Sequence, residues 1–169
     1  SILSSGLTIT IFGRKTNSMD LSLPLSKAVT EQIIPQKQPF LLVSSLLETA
    51  ETGCSTSFTI PEGHVLSDAQ HLQPSGLLEN MAQSCALMMG YQGALQVANS
   101  NGGEVPEPKV GFIGDIREFK CLSLPKVGST IQTHITIENQ IFDVTMIDGQ
   151  VTQNGTPIAS CKMKIFVKN

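Results

Sequence analysis

The sequence predicts an α+β fold in which one long helix packs against a curved antiparallel sheet. Residues 75–98 form the only long helical pattern, and apolar residues lie on most of its sides, with Leu77, Met81, Cys85 and Met88 as the main stripe. Strand-like segments precede this helix (39–60) and follow it (110–167). A helix that is apolar on most sides belongs in an interior, and one sheet wrapped around it is a stable layer arrangement.

Before the long helix, the chain predicts a short helix and a strand pair. Residues 24–34 place Leu25, Val29 and Ile33 on one helical stripe, and Pro35 and Pro39 then break the chain. Residues 39–51 and 53–60 read as antiparallel partners, with the turn near Gly53.

After the long helix, a turn-rich loop (99–108) leads into four alternating runs at 110–120, 129–140, 142–153 and 158–168. Turn residues separate them at 125–128, 139–140 and 154–155, so the runs predict successive antiparallel strands. Residues 1–18 precede the first methionine, Met19, and we interpret them as a leader or an expression-derived tail. An added edge strand is the alternative. Residues 19–169 are then a single domain.

Composition narrows the class of protein. Charged residues make up 15% of the chain, against a usual share of about 25%, so we expect another subunit to cover part of the surface. Open sheet edges favour a dimer that joins two sheets. A net charge of −3 argues against a nucleic-acid partner, and no apolar stretch is long enough for a membrane span. Four scattered cysteines lack zinc-ligand spacing and predict free thiols in a reducing cytoplasm, with no metal site.

The segment 63–91 carries the candidate chemistry. His64 lies in an irregular stretch, and Glu79 lies near the start of the apolar helix. A neutral imidazole and a carboxyl group in apolar surroundings can act as base and acid. The alternative is a surface histidine and a first-turn glutamate that the helix dipole favours.

Three segments together resemble the hotdog-fold β-hydroxyacyl-ACP dehydratases. IIPQKQPFLLVSSLLE resembles their N-terminal strand signature, GLLENMAQSCA their central helix, and FIGDIREFKCLSLPKVGSTI the strand and turn that follow. The resemblance implies a hotdog fold. The family's Gly-His-Phe-Pro motif is replaced by Gly63-His64-Val65-Leu66, and the spacing from His64 to Glu79 is one residue longer than usual. The longer spacing is similar to that of divergent dehydratase-like proteins of aryl-polyene pigment pathways.

By this resemblance His64 corresponds to the family's base, Glu79 to its acid and Gln83 to the glutamine that follows the acid. His71 is a second candidate base, eight residues before Glu79. The reaction implied is the reversible loss of water from a 3-hydroxyacyl thioester, with histidine and acid supplied by opposite subunits.

Donors for the enolate oxygen are expected at the start of the long helix. The family often has a glycine N–H there, whereas this chain has Pro74, which lacks one. Ser75 or Gly76 would take the role after a shift of one residue. The resemblance further implies an apolar acyl tunnel near Leu77, Met81 and Phe112.

Basic residues that could meet an acidic carrier protein or a pantetheine phosphate are Arg117, Lys120 and Lys126. An ordinary solvated face is the alternative for them. The substrate would be carried on acyl carrier protein or CoA, and no metal or redox cofactor is implied. Three functions stay open: an active dehydratase, a catalytically weak dehydratase-like partner subunit, and an acyl thioesterase on the same fold.

Overall fold

The computed structural model describes residues 19–100 and 110–167, together with the backbone of residues 10, 11, 14 and 15. The predicted loop 99–108 and segment 1–18 therefore lie largely outside the described residues. The elements in chain order are β1 (Thr10–Ile11), β2 (Arg14–Lys15), α1 (Lys27–Ile33), β3 (Ser45–Ala50), β4 (Gly53–Thr59), α2 (Pro74–Asn99), β5 (Gly111–Cys121), β6 (Thr130–Ile141), β7 (Val144–Gln153) and β8 (Thr156–Val167).

Six strands form one antiparallel sheet in the order β3-β4-β6-β7-β8-β5, while β1 and β2 pair only with each other. Helix α2 is 26 residues long and contacts every strand of the six-stranded sheet. Leu77, Met81, Leu87 and Met88 of this helix are fully buried. The predicted fold class is confirmed, and the helix extends one residue beyond each predicted end.

Helix α1 begins at Lys27, three residues after the start of the predicted segment 24–34. Ser26 caps the helix, because its hydroxyl accepts a hydrogen bond from the backbone N–H of Val29 at 3.3 Å. Leu25 precedes this cap, and its N–H donates to the carbonyl of Leu46 on β3 at 2.9 Å. The segment before α1 thus covers the outer edge of β3.

Two predicted strand boundaries are wrong. The run 39–51 becomes a strand only at Ser45, because Phe40 and Leu42 bond to side chains of α2 instead of to a neighbouring strand. The predicted break at 139–140 lies inside β6, and the chain turns instead at Phe142–Asp143, where Phe142 has φ of 52°. The turn at Asn154–Gly155 is confirmed, and both residues have positive φ, as a tight hairpin requires.

Candidate active site

His64 lies in a tightly bonded loop between β4 and α2 and is only 5% exposed. Its own carbonyl accepts from the N–H of Ser67 at 2.9 Å, and the carbonyl of Leu66 accepts from the N–H of Gln73 at 2.9 Å. Its ring and the ring of Phe58 form an edge-to-face pair, with centroids 5.8 Å apart. Folding therefore places this imidazole against the apolar core and not at the surface.

Both nitrogens of the His64 ring have backbone partners in the same chain. Nε2 lies 3.2 Å from the carbonyl oxygen of Leu41, and Nδ1 lies 3.1 Å from the backbone nitrogen of Leu66. A carbonyl can only accept and a backbone N–H can only donate, so Nε2 carries the proton and Nδ1 the lone pair. The ring is held as the neutral Nε2–H tautomer.

Glu79 lies half-buried in the second turn of α2 and is held by Gln83, one turn further on. The Gln83 amide nitrogen donates to Glu79 Oε1 at 2.9 Å. The other oxygen of the carboxyl group, Oε2, has no hydrogen-bond partner in residues 19–100 and 110–167. This oxygen is the one available to a ligand, so Glu79 has the freedom that a proton donor needs.

A buried polar network beside Glu79 was missed in the sequence. Asn80 is fully buried; its amide nitrogen donates to the carbonyl of Leu42 at 2.7 Å, and its amide oxygen accepts from the hydroxyl of Thr133. Ser84 donates to the carbonyl of Asn80 at 2.7 Å and bonds the hydroxyl of Thr56 at 2.7 Å. The available signal was two pairs of polar residues one turn apart, Glu79–Asn80 and Gln83–Ser84, in the apolar first half of the helix.

The start of α2 explains the glycine at position 76. A Cβ added to Gly76 would lie 2.4 Å from a side-chain carbon of Leu72, so only glycine lets the helix approach the His64 loop this closely. The N–H of Gly76 donates to the carbonyl of Gln73 at 2.9 Å. Pro74 occupies the first helical position, so the N–H of exposed Ser75 is the unbonded donor of this turn within the described residues.

His71 has a different setting from His64. It is only half-buried and pairs in a β-bridge with Lys126, and its backbone N–H donates to the Asp68 carboxylate at 2.7 Å. The N–H of Gln70 and that of His71 together hold the pKa of the Asp68 carboxyl below its usual value. No bond joins His71 to Glu79 in the part of the chain that the structure describes.

The predicted tunnel residues do not lie together within one chain. Leu77 and Met81 are fully buried core residues of α2. Phe112 is 56% exposed and pairs in register with Phe166, on the face of the sheet opposite that of buried Ile165.

The predicted basic residues differ in their surroundings. Arg117 on β5 is paired with Asp115, with 2.8 Å between Nε and Oδ2. Lys120 on the same strand and Lys126 in the following connection are exposed. Of the three basic residues, Lys126 lies beside the loop that carries His64, because it forms a β-bridge with His71.

No group of metal-ligating side chains occurs among the described residues. Cys54, Cys85 and Cys161 are buried free thiols, and Cys121 is an exposed one. Burial raises the pKa of both Cys54 and Cys85 to about 12, so these thiols stay protonated at neutral pH. Among the described helices, none is long and apolar enough to cross a membrane.

Buried His64 and half-buried Glu79 thus lie on either side of the junction between the loop and α2. The family model for ApeP-like proteins, described as ApeP dehydratase, matches residues 28–169. The chain belongs to the ApeP-like dehydratase family. No match was found among curated protein sequences.

Solved structures confirm the hotdog fold of this ApeP-like chain. The dehydratase heterocomplex ApeI:P from Xenorhabdus doucetiae matches with a TM-score of 0.70 and 17% identity, over 88% of this chain and 93% of that one. A hypothetical thioesterase with coenzyme A from Streptococcus pneumoniae matches with a TM-score of 0.53 and 11% identity, over 73% and 84%. The E. coli PaaI protein of the phenylacetic acid degradation operon matches with a TM-score of 0.52 and 12% identity, over 73% and 78%.

Proposed function

We propose that this ApeP-like chain is a subunit of a 3-hydroxyacyl-thioester dehydratase, acting on a substrate carried by acyl carrier protein or CoA. The family membership supports the reaction class. The observation that carries the assignment of residues is the pairing of a buried, neutral His64 with a Glu79 whose Oε2 is available. Neutral imidazole and protonated carboxyl are the two states that dehydration consumes.

In the proposed reaction, His64 takes the α-proton of the thioester and Glu79 gives its proton to the departing 3-hydroxyl. The C–H bond at Cα and the C–O bond at Cβ break, a C=C bond forms, and water leaves. The thioester oxygen gains negative charge on the way, and the free N–H of Ser75 at the positive end of α2 would stabilise it. Proton exchange with solvent returns His64 and Glu79 to their starting states.

The proposed active unit is a dimer formed through β5, in which each site combines His64 of one subunit with the acid of the other. β5 is an edge strand with no neighbour on its outer side in residues 110–167 or 19–100. Ile116 on this strand is 42% exposed, although it pairs in register with buried Met163 on the helix side of the sheet. An edge with an exposed apolar side chain is suited to pairing with another edge. The ApeI:P structure is a dehydratase heterocomplex, which supports a second, different chain as partner.

One observation favours the second candidate, a catalytically weak partner subunit. The lone pair of His64 Nδ1 already accepts the N–H of Leu66, and Pro74 removes a donor from the helix start. Substrate binding has to displace Leu66 before His64 can take a proton. If it does not, the chain would serve the complex through Glu79 and the shared sheet alone.

The test is an assay of the purified chain on a 3-hydroxyacyl-ACP, alone and mixed with a dehydratase encoded beside it. For the active dehydratase, His64→Ala and Glu79→Gln should each reduce turnover by about 10²–10⁴-fold and leave the dimer intact. His71→Ala is the matched control and should leave turnover nearly unchanged.

Other outcomes separate the alternatives. Full activity of the mixed complex with His64→Ala, but not with Glu79→Gln, would assign the chain to the partner role. Release of a free thiol in place of the unsaturated thioester, with His64→Ala still active, would assign it to the thioesterases.

A further inference from the structure

The residues just before β3, Phe40–Leu42, are held by side chains of the candidate site. Backbone groups of this strap are bonded at four points: Phe40 O to Gln83 Nε2 (2.9 Å), Leu41 O to His64 Nε2 (3.2 Å), Leu42 N to Gln83 Oε1 (2.8 Å) and Leu42 O to Asn80 Nδ2 (2.7 Å). A strand would have used a neighbouring backbone for these bonds. The position of the strap therefore depends on three side chains, and theirs on the strap.

Gln83 uses the whole hydrogen-bonding capacity of its amide except one lone pair. Its oxygen accepts from Leu42, and its nitrogen donates both to Phe40 and to Glu79. The orientation of the amide is fixed by its partners, because a backbone N–H cannot accept and a carbonyl cannot donate. Gln83 is 2% exposed, so no water replaces these bonds.

The carbonyl of Leu41 and the N–H of Leu42 belong to the same planar peptide group. Gln83 bonds one end of this group and His64 bonds the other. An N–H that donates polarises its own peptide and strengthens the carbonyl as an acceptor. A continuous chain of hydrogen bonds thus runs from the Glu79 carboxyl through Gln83 and one rigid peptide to the His64 ring.

We propose that Gln83 is a positioning residue for His64 as well as for Glu79, and that it acts on the histidine through the Leu41–Leu42 peptide group. By holding that peptide, Gln83 fixes the Leu41 carbonyl that accepts the Nε2 proton of His64, and so supports the tautomer that the N–H of Leu66 also favours. The role of this positioning in catalysis rests on the proposed function. In a site shared by two subunits, one Gln83 orients the base of one site and the acid of the other.

The structural part can be tested by NMR spectroscopy of the ¹⁵N-labelled full chain, with no measurement of turnover. The wild type should show His64 protonated on Nε2, and that proton should exchange slowly with water. Gln83→Leu should accelerate its exchange at least about tenfold, since the peptide that accepts it is released. Gln92→Leu is the matched control, because Gln92 also lies on α2 and donates to backbone carbonyls, at Ala50 and Glu51, yet far along the helix from His64.

A wild-type His64 protonated on Nδ1, or unchanged exchange in Gln83→Leu, would overturn the proposal. If Gln83→Leu does not fold, Gln83→Glu replaces it, because a carboxyl oxygen still accepts from Leu42. The His64 proton should then remain slow, and fast exchange in a folded Gln83→Glu protein would count against the coupling. The predicted spectra in a protein without dehydratase activity would overturn the proposed function and leave the coupling intact.

Discussion

The two edges of the six-stranded sheet are treated in opposite ways. On β3 the chain covers its own edge: Leu25 is 2% exposed, its N–H bonds Leu46, and the hydroxyl of Ser45 donates to its carbonyl at 2.6 Å. On β5 the outer edge has no covering strand among the described residues, and Ile116 stays exposed. This difference indicates that the β3 edge is part of the folded subunit and that the β5 edge is suited to binding another chain.

The lengths of the two strands agree with this division. β3 has six residues and is short, as protected edges often are. β5 has eleven residues and two register irregularities, and Glu118, which lies within the second of them, has φ of 52°. Bulges of this kind bend a strand locally, so β5 offers a specific shape to a partner and not a flat template.

The largest expected effect is a loss of folding stability when the cover of the β3 edge is weakened. Leu25→Ala removes a buried side chain between α1 and β3 and should lower the free energy of unfolding by about 2–5 kcal/mol. Association through β5 should be unaffected once the protein is folded. Urea unfolding measures the change, and Leu122→Ala is the control, because Leu122 is 74% exposed just beyond β5. Equal stability of the two variants would show that the β3 cover does not contribute to the fold.

The next largest expected effect is a loss of association between subunits when β5 is changed. Ile116→Asp places an unpaired carboxylate in the proposed seam and should weaken association by roughly 100-fold, with little change in the stability of the subunit. Sedimentation velocity measures the dissociation constant. Ala50→Asp puts the same charge at an exposed position of β3 and should leave association unchanged. A dimer that resists Ile116→Asp but dissociates with Ala50→Asp would reverse the roles of the two edges.

Much of the fold could be predicted because its signals are local. The long helix is apolar on most sides, and that pattern is visible in the sequence alone. The strand 39–51 was predicted too long, because the strap Phe40–Leu42 has the apolar composition of a strand while its partners lie 23 to 43 residues away. The turn at Phe142–Asp143 was missed, since a bulky residue at positive φ is not a usual turn signal.

In the candidate site, too, some features could be predicted from the sequence and others could not. His64 and Glu79 could be named from a motif resemblance, but the motif does not contain the bonds that set the tautomer. Those bonds come from Leu41 and Leu66. Asn80 was not identified, because a polar residue on an apolar helix has no interpretation until its long-range partners are known. Residue types were predictable, whereas the contacts that give them a function depended on the folded chain.

The smallest effect is a difference in thiol reactivity between the two halves of the sheet. Cys121 lies exposed at the end of β5, whereas Cys54 on β4 is buried and has its pKa raised to about 12. At pH 8 only about one Cys54 thiol in 10⁴ is a thiolate, so its alkylation should be negligible and it serves as an internal reference. If β5 forms the seam, Cys121 of the wild type should react with iodoacetamide several-fold more slowly than Cys121 of Ile116→Asp, and dilution should remove the difference. Peptide mass spectrometry after timed quenching measures both rates. A dimeric wild type in which Cys121 reacts as fast as in the variant would place the interface away from this end of β5, and labelling of Cys54 at a comparable rate would contradict the packing of β4 against α2.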